Sequence, residues 1–129
     1  MDMIMKVIKS KFGSCVQEGG KPVECTIDAT FLGKFEHDGR WYVRVRPMNN
    51  DKLEEIYIIA DIQMNPEIVI KMPYRYKKFS FYVSKDGVPS SVYEMELGNH
   101  VTIEVSMTNI SATEPLINWK CNNINIKTL

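Results

Sequence analysis

Phe31-Leu32-Gly33-Lys34-Phe35-Glu36-His37-Asp38-Gly39-Arg40-Trp41-Tyr42-Val43-Arg44-Val45-Arg46 is the stretch on which the fold turns. Runs of alternating apolar and polar residues flank His37-Asp38-Gly39, the pattern of an antiparallel hairpin closed by a tight turn. Its register decides which side chains share a face. A three-residue loop sets Phe35 opposite Trp41, Gly33 opposite Val43 and Phe31 opposite Val45, with Gly39 in the left-handed bulge position. A two-residue Asp-Gly loop sets Phe35 opposite Tyr42 and splits the apolar residues between faces. The three-residue loop is therefore expected. It turns Phe31, Phe35, Trp41, Val43 and Val45 to the core, turns Lys34, Tyr42, Arg44 and Arg46 outward, and pairs Glu36 with Arg40 at the hairpin end.

The same texture extends along the chain. Short segments rich in Val, Ile, Thr, Tyr and Phe alternate with Gly, Pro, Asn or Asp clusters, and no amphipathic run of helical length stands out. Strands are expected near 3–11, 13–17, 22–32, 34–36, 40–48, 54–60, 67–71, 75–84, 100–108 and 117–127. A second hairpin centred on Gly20 places Cys15 opposite Cys25. One short helix is expected over 91–97, where Ser91 and Glu94 form a capping box and Gly98 can end it; a strand carrying Tyr93, Met95 and Leu97 is the competing reading. The expected fold is all-β, one antiparallel barrel domain across 1–129, with a two-sheet β-sandwich as the alternative.

The 129 residues hold 16 Lys+Arg and 16 Asp+Glu, with 44% hydrophobic and 10% aromatic residues. This is globular composition, and it excludes disordered and low-complexity classes. No run approaches the ~18 apolar residues of a membrane span, and Met1 to Phe12 lacks the apolar core of a signal peptide. A cytoplasmic chain without membrane contact is expected. Zero net charge argues against a uniformly basic coat while saying nothing about local patches.

Two segments concentrate cations among aromatics. On the hairpin, Arg44 and Arg46 stand about 7 Å apart on one strand face, beside Lys34 and Tyr42. Between Lys71 and Lys78 lie Lys71, Arg75, Lys77 and Lys78 with no acid, and alternation sets Tyr74, Tyr76, Lys78 and Tyr82 on one face against Arg75, Lys77, Phe79, Phe81 and Val83. Residues 91–129 are more acidic, with Glu94, Glu96, Glu104 and Glu114 against Lys120 and Lys127. Such segments suit single-stranded nucleic acid, because every nucleotide offers a phosphate to attract and a π-face to stack. Arg and Tyr also populate ordinary solvated strand faces.

Enzyme chemistry finds little support. His37 and His100 fall in or beside turns, and no nucleophile elbow, zincin, Walker or dinucleotide motif occurs. Glu54/Glu55 and Glu94/Glu96 are the close carboxylate pairs, and both read as solvated surface. Cys15, Cys25 and Cys121 lack the short spacing of zinc ligands and are expected to be reduced thiols. Neither a cofactor nor a metal is expected.

Leu97-Gly98-Asn99-His100-Val101-Thr102-Ile103-Glu104-Val105, followed after a turn-rich insert by Trp119-Lys120-Cys121-Asn122-Asn123-Ile124-Asn125-Ile126, resembles the closing strands of OB-fold proteins, in particular small phage and bacterial single-stranded-DNA-binding proteins. Asn99 stands where the Gly-Asp-x-Val pattern has Asp. The resemblance implies a partly open five-stranded barrel that binds across its second and third strands; the abundance of Ile, Asn, Lys and Met suits the AT-rich genome of a phage or low-GC bacterium. The expected function is non-enzymatic binding of single-stranded nucleic acid, with Lys34, Arg44, Arg46, Lys71, Arg75, Lys77 and Lys78 on phosphates and Tyr42, Tyr74 and Tyr76 on bases. The alternatives are a β-sandwich assembly module, such as a virion component or a homo-oligomer joined through strand edges, and a glycan-binding module with Trp41 or Trp119 standing outside the core.

Overall fold

A computed structural model describes residues 4–11 and 13–128. Its framework is a ring of five strands. The long β4 (Glu24–His37) pairs antiparallel with β5 (Arg40–Pro47), and β5 with β6 (Ile68–Met72). β12 (Ile117–Lys127) joins β6 in parallel and β11 (His100–Ile110) antiparallel, and β11 returns to β4 antiparallel. Directions cannot alternate around a ring with an odd number of strands, so one parallel contact is unavoidable. The expectation of a wholly antiparallel barrel is corrected on that point, and the closed ring displaces the sandwich alternative. Among the described residues the chain is all-β apart from one α-helix and a single 3₁₀ turn.

Alternation along each ring strand fills the interior. Ile27, Ala29 and Phe31 of β4 meet Val43 and Val45 of β5, Ile70 and Met72 of β6, Val101, Ile103 and Val105 of β11, and Trp119, Cys121, Ile124 and Ile126 of β12, all of them buried. Around the ring lie smaller pieces. β1 (Met5–Ser10) and β2 (Gly13–Glu18) form a hairpin attached to the end of β11 through Ser14 and Ile110, and β3 (Lys21–Pro22) caps β2. The expected strand 3–11 is observed as β1; its residue 3 lies outside the described residues.

The segment expected as a strand at 54–60 is instead α1 (Asp51–Ala60). Ile56, Ile58 and Ile59 carry strand propensity, but Leu53, Ile56 and Tyr57 recur at helical spacing and are the residues α1 buries. Asn50 caps it: its Oδ1 accepts from the Leu53 amide at 3.0 Å, and its Nδ2 donates to the Thr26 carbonyl at 2.9 Å. Tyr57 thereby reaches the core, where its hydroxyl accepts from Trp119 Nε1 at 3.1 Å.

Two further expectations change. The run 75–84 is broken into a hairpin, β7 (Tyr74–Arg75) with β8 (Lys78–Phe79), followed by β9 (Tyr82–Lys85), which pairs in parallel with β12 and carries the edge strand β10 (Val88–Pro89). Tyr76 and Lys77 make the turn, with φ of 51° and 63°. Over 91–97 only Val92–Glu94 is helical, as one 3₁₀ turn, and Ser91 does not cap it with its side chain. The Gly20 hairpin closes at Gly19-Gly20 with Glu18 opposite Lys21; Cys25 therefore faces Val105 across β11, and all three cysteines are free.

Candidate nucleic-acid interface

The β4–β5 hairpin uses the two-residue loop. Asp38 and Gly39 have φ of 52° and 75°, His37 opposes Arg40, Glu36 opposes Trp41 and Phe35 opposes Tyr42. The conflict of faces that disfavoured this register is removed by a bulge between Phe31 and Gly33, after which Phe31 meets Val45 as expected. Gly33 adopts φ 145° there, a region that favours glycine.

The bulge re-sorts the side chains. Tyr42, Arg44 and Arg46 face outward as expected, and Phe35 joins them, its ring stacked on Tyr42 at 5.3 Å and 20°. Lys34 crosses to the other side of the hairpin, opposite buried Val43, and its Nζ lies 5.7 Å from the Tyr93 ring centroid. The expected Glu36–Arg40 pair is not formed in this register. Arg46 meets Glu67 at 3.5 Å, an exposed contact that partly offsets its charge.

Outward residues of four neighbouring strands form a row. Phe35 opposes Tyr42, Tyr42 opposes Lys71 on β6, and Lys71 opposes Lys120 on β12. Over this row opens a groove of about 470 Å³ whose lining includes Arg40, Tyr42, Lys71, Asn109, Asn118 and Lys120, with no carboxylate. Asn118 Nδ2 donates to Asn109 Oδ1 at 2.7 Å across its far side, and half-exposed Val69 and Leu116 supply apolar surface. Arg40, Lys71 and Lys120 have no ion-pair partner among the described residues. A separate concavity of about 460 Å³, over β4, β11 and α1, includes Glu24, Glu104 and Lys52 in its lining.

The second cationic segment gathers elsewhere. Tyr74 opposes Phe79 rather than sharing a face with Tyr76 and Lys78, because the turn at Tyr76-Lys77 reverses the chain. Its ring lies 4.8 Å from Phe79 and 6.3 Å from Trp41. Arg75 and Lys78 oppose each other on the exposed side, while Tyr76 projects at the tip, 93% exposed. Trp41 links the segments by packing edge-on to Phe79 at 5.9 Å. Neither indole stands free of the core: Trp119 is buried and Trp41 half-buried.

Arg40 and Lys120 were missed in the sequence. The sequence pairs Arg40 with Glu36 and offers Lys120 only as charge. Alternation about Trp119 puts Lys120 outward; that it meets Lys71 depends on a pairing between strands about 50 residues apart.

The residues weighed for catalysis do not converge. Glu94 lies in the 3₁₀ turn and Glu96 beyond it, Glu54 and Glu55 are exposed on α1, and His37 contacts only neighbouring Asp38 at 3.3 Å. His100 Nε2 lies 3.8 Å from Asp28, whose Oδ1 also accepts from the Thr102 hydroxyl at 2.6 Å. Among the described residues, no three His, Cys, Asp or Glu side chains are grouped as a metal site. Burial pushes the thiols of Cys15 and Cys25 up, and that of Cys121 up to about 12, so none is an activated nucleophile. No helix of the described residues is long and apolar enough to cross a membrane. No family model matches the chain, and neither curated proteins nor solved structures give a match.

Proposed function

We propose that the protein is a non-enzymatic binder of single-stranded nucleic acid, built on an OB-like barrel and using the outer face of β5, β6 and β12. One observation carries the reading: the groove over Tyr42 is ringed by Arg40, Lys71 and Lys120 and contains no carboxylate. Lys71 directly opposite Lys120 is unfavourable for an unliganded sheet, since like charges across a ladder repel. A polyanion removes that repulsion. The Phe35–Tyr42 stack gives a base an aromatic platform beside the cations, and the Asn109–Asn118 amides add polar contacts. The OB-like reading is supported by the order around the ring, first, second, third, fifth and fourth strand, and by the position of the groove on the second and third.

The test is anisotropy of labelled oligo-dT at two salt concentrations. Four phosphate contacts, from Arg40, Arg44, Lys71 and Lys120, give a log–log slope near −3, so affinity should fall about 50-fold between 50 and 200 mM salt. Absence of binding at the lower salt sinks the proposal. The assembly reading draws on a different observation: β1 and β10 end the sheet without outer partners among the described residues, and Ile8 and Val88 on them are exposed. A salt-insensitive oligomer that ignores oligo-dT would favour it.

A further inference from the structure

A second groove opens on the other side of the β4–β5 hairpin, between the β7–β8 hairpin and the 3₁₀ turn. Its volume is about 300 Å³, with Lys77, Lys78, Phe79, Phe81, Ser91 and Tyr93 around it and the well-buried Val83 and Val92 in its lining. Phe79 is the hub. Phe81 and Tyr93 stand edge-on to it at 5.8 and 6.2 Å, each at 67°, and Tyr74 and Trp41 brace its ring from behind the groove. Such bracing leaves little rotamer freedom to lose on binding.

The polar equipment of the groove is unspent. Lys34, Lys77 and Lys78 have no ion-pair partner among the described residues. Lys34 sits instead over the Tyr93 ring, which is 69% exposed. Ser91 occupies the position before the 3₁₀ turn without capping it, which leaves its hydroxyl available. The carboxylate of Glu94 lines the neighbouring recess with Pro89, Ser90 and Ser91, not this groove.

We propose that this groove is a separate mononucleotide subsite. It takes one unstacked nucleobase against Phe79 and Tyr93, with the phosphate on Lys77 and Lys78 and the Ser91 hydroxyl as a hydrogen-bonding partner. The volume lies at the lower bound for small-ligand pockets, matching one nucleotide rather than a stacked pair. The inference extends the outer-face reading by a ligand unit of the same class, yet it rests on different residues: adjacent side chains of β5, Trp41 and Tyr42, turn to opposite sides of the hairpin.

The experiment is an amide chemical-shift titration of the full chain with AMP, and with ribose 5-phosphate as the base-free arm. Saturable shifts at residues 77–81 and 91–93 with AMP are expected. Tyr93→Ala should weaken AMP by roughly five- to a hundredfold, the range of one base–aromatic stack, and Lys78→Glu should weaken it as well. Both positions are exposed, so the spectra should remain those of the folded protein. Equal shifts from ribose 5-phosphate, no shifts in the groove, or AMP binding indifferent to Tyr93→Ala would each overturn the subsite. Oligo-dT anisotropy on the same samples separates the two proposals. AMP shifts without oligo-dT binding keep the subsite and remove the outer-face reading; oligo-dT binding without AMP shifts does the reverse.

Discussion

Tyr57 and Trp119 show how one side chain ties the helix to the ring. The indole N–H has its acceptor on α1, and Trp119 is 2% exposed. Tyr57→Phe preserves the ring and deletes the acceptor, leaving a buried donor unsatisfied. Its expected cost is about 1–3 kcal/mol, read from the urea midpoint. Cys121 makes a prediction of the opposite kind. Burial pushes its thiol up to about 12 from an ordinary value near 9, so the folded state holds the proton more tightly than the unfolded chain. Its contribution to stability is complete below the unfolded pKa and is lost as pH rises through the window between the two values, at up to about 1.4 kcal/mol per pH unit. Burial also raises Tyr57, in spite of the opposing Trp119 hydrogen bond, and the loss continues into the same alkaline range. Urea midpoints from pH 8 to 11 should decline for the native chain and decline less for Cys121→Ala. At the proposed binding face, Tyr42→Ala should cost about 1–3 kcal/mol in oligo-dT affinity with the melting transition little changed.

Elements were legible where one local signal dominated and misread where two competed. The strands of 40–47, 68–72 and 100–110 alternate cleanly, 117–127 alternates on either side of a phase shift at Asn122-Asn123, and all lie close to where alternation placed them. The helix was misread because three isoleucines outweighed a helical spacing only three apolar residues long. Its cap is now a handle: Asn50→Ala removes both the Leu53 and Thr26 hydrogen bonds and should lower stability by about 1–2 kcal/mol by chemical denaturation. The bulge is the other lesson. Alternation assumes an unbroken pleat, and one extra residue at Leu32-Gly33 inverted the argument from Phe35 and exchanged Lys34 for Phe35 on the outer face. A Cβ at Gly33 meets nothing within 4 Å, so Gly33→Ala tests the backbone alone; a loss of about 1 kcal/mol or more is expected, with strand register followed by NMR.

At the scale of the whole molecule, charge is sorted by the ring closure. β12 brings Lys120 against Lys71, while Glu24 and Glu104 line a different concavity together with Lys52. Lys71 and Lys120 repel across the ladder, so Lys120→Gln should raise stability at low ionic strength by a few tenths of a kcal/mol; on the proposed function it also weakens oligo-dT and flattens its salt slope by about 0.7. Thermal melts and anisotropy on one sample measure both sides of that exchange.

The sequence by itself determined that this chain is all-β, that its strands alternate, and that two cationic-aromatic segments are followed by a more acidic C-terminal third. These are properties of neighbouring residues, carried by period and composition. The parallel closure, the bulge register and the meeting of Arg40, Tyr42, Lys71 and Lys120 were decided only by tertiary structure. They depend on which distant strands pair, and the free energy that selects those pairings comes from burying one common core, which no local window contains.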